Sequence, residues 1–292
     1  MTLLSHLING LSLGSVYAII ALGYTMVYGI AKMLNFAHGD VIMVGGYISF
    51  FAMASGFHPL VAILLAMLVC TILGVTIEKL AYKPLRQAPS LAVLITAIGV
   101  STVLQQLALL LWGSAPKVYT SVVPNRNFPI LDGGVNVSLI AIVTISACIA
   151  IMTLLTWFIN RTKVGKGMRA VSEDKGAAQL MGISVDGTIS ITFLIGAALA
   201  GVAGCLFCSM YTLIMPTTGA MPGIKAFTAA VFGGIGSIPG AMLGGILLGI
   251  IEILGKAYIS TQLSDAIVFM VLIIILLIKP TGLLGKKIME KV

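Results

Sequence analysis

Residues 161–187 read RTKVGKGMRAVSEDKGAAQLMGISVDG, the longest polar stretch in an otherwise apolar chain. Long apolar runs flank it on both sides, so it lies outside a membrane that the rest of the chain crosses. Its centre predicts a short helix over residues 172–182. Ser172 can cap the start, Glu173 and Asp174 stand in the first turn where the helix dipole favours anions, and Gly182 can close the end in the left-handed conformation. Ala177, Leu180 and Met181 share one face at i, i+3, i+4 spacing, while Lys175 and Gln179 share another. A helix of about three turns is marginal alone, so it leans on something. It either rests on the bilayer surface or the protein's own loops, or it docks a soluble partner.

Composition decides the class. Of 292 residues, 59% are hydrophobic and 9% charged, against roughly 25% charged in soluble domains. Apolar runs at 7–28, 60–81, 91–112, 137–159 and 188–211 exceed the length of about 18 residues that marks a spanning helix. Shorter runs cover 41–54, 223–236, 241–257 and 267–278. Barrel strands would be shorter and alternating. The expected fold is all-α: a polytopic transmembrane helix bundle of eight or nine spans, forming a single domain over 1–292. Residues 1–6 carry no basic segment, so the first span reads as uncleaved and not as a signal peptide.

The net charge of +8 is spread over short loops, which orients a membrane protein and gives no nucleic-acid footprint. Thirteen of the 17 lysines and arginines fall on the proposed cytoplasmic side, including Lys32, Lys83, Arg86, the basic residues of 161–175, and Lys286, Lys287 and Lys291. Lys117, Arg126, Lys225 and Lys256 fall on the other. This predicts a periplasmic N-terminus and a cytoplasmic C-terminus, with nine crossings if residues 223–236 count as one. That segment is only 14 residues, about 21 Å as a helix, and reads as a short or re-entrant half-helix.

Several motifs need weighing. Gly10-Leu11-Ser12-Leu13-Gly14 matches a nucleophile elbow, but it lies in a helix without its partners and reads better as a GxxxG packing face. Cys70, Cys148, Cys205 and Cys208 sit in apolar spans; Cys205 and Cys208 lack a second ligand pair, so they are packing residues and no metal or cofactor is expected. Asn35, His38 and Asp40 interrupt the chain between two apolar runs, either as a surface turn with Asp40 as a cap or as a break beside a translocation path. The run Gly233-Gly234-Ile235-Gly236 reads either as tight packing and a turn or as part of the path. It is no phosphate loop, and no Walker motif occurs elsewhere. Residues 113–136 read as an irregular loop, with Trp112 and Tyr119 in an interfacial belt. Met215-Pro216 and Met221-Pro222-Gly223 mark a break on the outer side, and Glu252 can pair with Lys256.

Three blocks carry a resemblance that spacing alone does not supply: GYTMVYGIAKMLNFAHGD (23–40), RAVSEDKGAAQLMGI (169–183) and KAFTAAVFGGIGSIPGAMLGG (225–245). Through them the chain resembles, nearly end to end, the Liv-H type of inner-membrane permease subunit of bacterial high-affinity branched-chain amino acid ABC transporters. The resemblance implies that 161–187 is a cytoplasmic coupling segment and 172–182 the helix that fits a groove on an ATP-binding subunit. Arg169, Ser172, Glu173, Asp174, Ala177, Leu180, Met181 and Gly182 would then serve ATPase coupling. It further implies two ATP-binding cassette subunits, a second related permease and a periplasmic binding protein. The cargo would be leucine, isoleucine and valine, the alternative being urea or short amides. Related members can carry Glu where this chain has Asp40, which leaves the role of that carboxylate open.

The rival from another class is a stand-alone ion-coupled transporter with His38, Asp40, Lys225 or Glu252 in a proton relay. An intramembrane enzyme lacks any complete set of nucleophile, base and orienting group.

Overall fold

Small residues decide how the first helix packs. Helix α1 (Leu3–Ala31) is the axis of the bundle, with Ser12, Ser15, Ala18, Ala21 and Gly23 among its buried residues. In lipid, helices associate through close packing and not through water exclusion, so small side chains belong where backbones meet. The computed structural model describes residues 3–130 and 135–285; Asp132, Lys286, Lys287 and Lys291 lie outside the described residues.

Around α1 stand α2 (His38–Ala54), α8 (Val185–Tyr211), α9 (Ala220–Gly233) and α10 (Ile238–Tyr258), all with many buried residues. Helices α3 (Pro59–Ile77), α4 (Ser90–Trp112), α5 (Leu139–Arg161) and α11 (Ser264–Ile278) form the outer layer. Their Leu64, Leu110, Leu154 and Leu277 are all more than half exposed, as lipid-facing side chains are. Among the described residues six helices are long and apolar enough to cross a membrane, with α2 and α11 shorter. The sixth is α10, where the sequence suggests a start at residue 241. Ser237 caps it by accepting from Gly240 N at 3.3 Å, and Pro239 suits the first turn, so the helix starts within the glycine-rich segment.

The GxxxG face of α1 packs on α10. A Cβ at Gly14 would stand 2.6 Å from the Ile246 carbonyl oxygen and 2.7 Å from its Cα, and one at Gly249 would strike the backbone of Gly14. These obstacles are backbone atoms, so only separation of the helices relieves them. Gly14→Leu should therefore cost about 1–3 kcal/mol or more, read as a lower unfolding temperature in detergent. Gly99→Leu, at a position with none of the described residues within 4 Å of an added Cβ, should leave it unchanged.

Two breaks meet inside the bundle. Lys32 takes a left-handed φ of 59° after α1, and the chain turns back so that His38 lies against Gly23 and its ring packs 4.8 Å from that of Tyr24. Gly23 is eight residues, roughly 12 Å, before the end of α1, so α2 begins within the bundle. A Cβ on Gly39, in the first turn of α2, would stand 2.6 Å from Gly219 O, just before α9. The break at 215–223 thus lies against the start of α2 and not simply at the outer surface.

The end of the bundle that holds the start of α1 is capped by short strands where the sequence suggests an irregular loop. β1 (Lys117–Val118) pairs antiparallel with β4 (Leu213–Ile214), and β2 (Asn127–Ile130) with β3 (Val135–Ser138). Val137 therefore belongs to a strand, and α5 begins at Leu139, capped by Ser138. Tyr119 is buried and bonded to Ser49 Oγ at 2.7 Å, while Trp112 stacks on Tyr47 at 4.1 Å. Tyr119 is thus no interfacial anchor.

Candidate functional site

The polar segment folds as two helices. Thr162 caps α6 (Lys163–Glu173) by accepting from Gly165 N at 3.0 Å, and α6 buries Gly165, Met168 and Val171. Asp174 is extended, ends α6 and caps α7 (Lys175–Leu180), its Oδ1 accepting from Ala177 N at 3.0 Å. The expected helix over 172–182 is therefore corrected: Asp174, and not Ser172, is the cap, and Ser172 Oγ donates back to Arg169 O at 2.7 Å on α6. The aspartate wins because its carboxylate lies one position before the first free N–H groups of α7. Glu173 closes α6, and Arg169 stands on α6 beside Asn160 at 3.4 Å. Gly182 does close the helix, at φ +79°, with Ile183 N donating to Ala178 O at 3.0 Å.

Helix α7 turns Ala178 inward and Ala177, Leu180 and Met181 outward. Leu180 is 91% exposed and Met181 81%. Two large apolar side chains so exposed on a polar end are unusual for a surface that faces only water.

One strut ties this helix to the bundle. Lys175 Nζ donates to the Ala31 carbonyl at 2.9 Å, filling an open acceptor at the end of α1. Burial, with Arg86 and Lys32 nearby, pushes the Lys175 ammonium below the usual lysine pKa. Beside it, Arg86 bridges the buried Glu78 and Asp186 in the first turn of α8, and Ser190 Oγ donates to Glu78 Oε2 at 2.8 Å. Motion of α7 can thus reach α1 through Lys175 and α8 through the short connection at 181–184, while the Arg86 cluster ties the start of α8 to the end of α3. Partners separated by about 100 residues carry no local signal, although Thr162 before the apolar triplet Val164, Met168 and Val171 does mark α6.

The chain matches the family model described as "Branched-chain amino acid transport system / permease component" over residues 6–276. It belongs to that family. It is 45% identical over 303 residues to the high-affinity branched-chain amino acid transport system permease protein LivH of Salmonella typhimurium, covering 99% of this chain and 97% of that one. It is 44% identical over 301 residues to the corresponding protein BraD of Pseudomonas aeruginosa, covering 99% and 98%. A probable branched-chain amino acid transport permease protein LivH of Methanocaldococcus jannaschii is 29% identical over 91% of this chain and 88% of its own length. The permease is a multi-pass membrane component, and the matched relatives are transport system permease proteins.

Within the permease, the residues at the first break point in different directions. Asn35 Oδ1 accepts from Tyr82 O–H at 2.9 Å, His38 is buried with no hydrogen-bond partner at Nε2 among the described residues, and Asp40 Oδ1 accepts from Gln105 Nε2 at 2.9 Å. The cap of α2 is Ala37, so Asp40 is not its cap. Gly233, Gly234 and Gly236 lie elsewhere, at the end that carries α7. Gly234 and Gly236 have φ of 105° and 93°; a Cβ on Gly236 would meet Gly29, and Leu284 N donates to Gly233 O at 2.9 Å. The permease uses these glycines to seat its own residues 283–285 against the turn between α9 and α10.

A third group joins residues that the sequence only hints at. Lys225 is drawn into the bundle, with Nζ 2.8 Å from Glu252 Oε1 and 2.7 Å from Asp265 Oδ1. Lys256 reaches the same Glu252 oxygen at 2.6 Å, and Tyr17 O–H donates to Oε2 at 2.9 Å. The pairing of Glu252 with Lys256 agrees with their i, i+4 spacing. Nothing in the spacing brings in Tyr17, Lys225 or Asp265, which come from three other helices. The cysteines are all buried and free, and no cluster able to hold a metal occurs among the described residues.

Proposed function

We propose that residues 1–292 form one permease domain of an ATP-binding-cassette importer that carries leucine, isoleucine and valine across the bacterial inner membrane. Two separate ATPase subunits supply the energy, a second related permease completes the pore, and a periplasmic binding protein delivers the cargo. The N-terminus is periplasmic and the C-terminus cytoplasmic. The observation that carries this reading is α7, a capped helix presenting Leu180 and Met181 outward while Lys175 ties it to the end of α1. Closure of the ATPase subunits displaces α7, and that motion passes to α1 through Lys175 and to α8 through the short connection at 181–184. The chain itself transmits force and makes no bond. Asn35, His38 and Asp40, where α2 starts inside the bundle, stand beside the moving route.

The relatives' names favour branched-chain amino acids over urea and short amides. A proton relay gains little support: Lys225 pairs with Glu252, whereas Asp40 is held by Gln105. Reconstitution of the chain with its companion subunits and binding protein tests the reading. ATP should drive uptake of leucine and not of urea or acetamide. Uptake by the chain alone under an ion gradient, without ATP, would overturn it.

A further inference from the structure

We propose that the cavity between α1, α8, α9, α10 and α11 is a binding site for the paired charges of a free α-amino acid. The proposal rests on the cargo reading above and adds where, and by which groups, the cargo is held.

The cavity measures about 270 Å³, a little under the range of roughly 300–1,000 Å³ for drug-sized ligands and suited to something smaller. It takes Phe207 and Tyr211 from the last turns of α8, whereas α7 precedes the first turn of that helix. It therefore lies at the end of the bundle away from α7, where cargo would arrive. Glu252 stands six residues, roughly 9 Å, from the end of α10, so the charged groups lie below the rim.

Four charged side chains converge there, two of each sign. Lys225 and Glu252 are buried and fixed, Glu252 accepting from Tyr17, Lys225 and Lys256. Lys256 and Asp265 are the open members, their side chains 28% and 43% exposed. A charge placed in an apolar bundle costs several kcal/mol unless it is paired. A molecule with one ammonium and one carboxylate can exchange with the existing pairs one for one, so no net charge is buried. Lys256 has further N–H groups for the α-carboxylate, and Asp265 can accept from the α-ammonium. Phe207, Met221 and Pro222 supply the apolar wall that a branched side chain needs. A staple between helices would need only one pair; these groups instead line an open volume.

The test uses the intact importer, with companion permease and ATPase subunits, in lipid nanodiscs without binding protein. A diazirine analogue of leucine is photolysed and the adducts are mapped by mass spectrometry. Adducts should fall on residues 207–211 and 221–222, and leucine should displace them at least about tenfold better, some 1.4 kcal/mol, than leucinamide or 4-methylpentanoate. Lys256→Gln should relax discrimination against leucinamide, and Asp265→Asn discrimination against 4-methylpentanoate, a readout that a structural role does not move. Labelling elsewhere, or unchanged selectivity in both folded variants, would overturn the proposal. If the wild-type importer, sealed in proteoliposomes and supplied with its binding protein, still takes up leucine on ATP in that case, the cargo reading stands and only the site is wrong. If it takes up none, both fail.

Discussion

Glu252→Ala should destabilise the permease by about 3–5 kcal/mol, the largest stability loss expected of any single side chain in the bundle. Glu252 is fully buried, and three groups donate to its carboxylate from α1, α9 and α10 itself. Its removal leaves Lys225 with Asp265 alone and Lys256 without its carboxylate partner, while Tyr17 loses its acceptor. The cost therefore comes less from the lost attraction than from cations left unneutralised in a poorly solvated place. Glu252→Gln should cost less, because an amide oxygen still accepts from Tyr17. Lys256→Met added to Glu252→Ala should recover part of the loss, since it removes one of the stranded charges. Thermal unfolding in detergent reads all three variants. A Glu252→Ala protein as stable as wild type would show that the cluster is not buried as described.

The sequence made some features plain and hid others for physical reasons. Membrane helices are legible because a long apolar run has few alternatives in lipid, so α3, α4 and α5 fall close to their expected places. The GxxxG pair was readable as a packing face, although its partner was not: nothing local links Gly14 to Ile246. The coupling segment was legible as polar and exposed, and Gly182 as its close. The division into α6 and α7 is not legible in the sequence, because Ser172 and Asp174 are both good caps and the choice depends on where α6 stops. The meeting of Gly39 with Gly219 was beyond sequence reasoning, since 180 residues separate two breaks with no shared motif. The mixed-charge cavity was hidden likewise: Lys225 and Glu252 stand out as charges in apolar helices, but nothing local brings them to each other or to Tyr17 and Asp265. Strands β1 to β4 are too short to show an alternation, and their pairing follows from the fold around them.

The second large effect concerns α7. Leu180→Glu combined with Met181→Glu places two carboxylates on the outward face of a helix whose apolar tips are almost wholly exposed. In the isolated chain these side chains touch little, so insertion and thermal stability should not change. Where α7 docks on an ATPase subunit, as proposed, they would enter that contact, and an uncompensated carboxylate buried at a protein contact costs more than the contact supplies. Import should fall by at least about a hundredfold, matching roughly 2.7 kcal/mol of lost docking, and the ATPase subunits should separate from the permease on purification. Lys175→Met should show the complementary defect, with ATPase subunits retained but import reduced, because it cuts the tie to Ala31 and leaves the outward face intact.

The most direct measurement is co-purification of the ATPase subunits with the Leu180→Glu, Met181→Glu permease, alongside ATP-driven leucine import by the same preparation. Docking through α7 requires a folded permease that has lost its ATPase subunits and imports nothing. ATPase subunits still bound, with import at the wild-type rate, would contradict it.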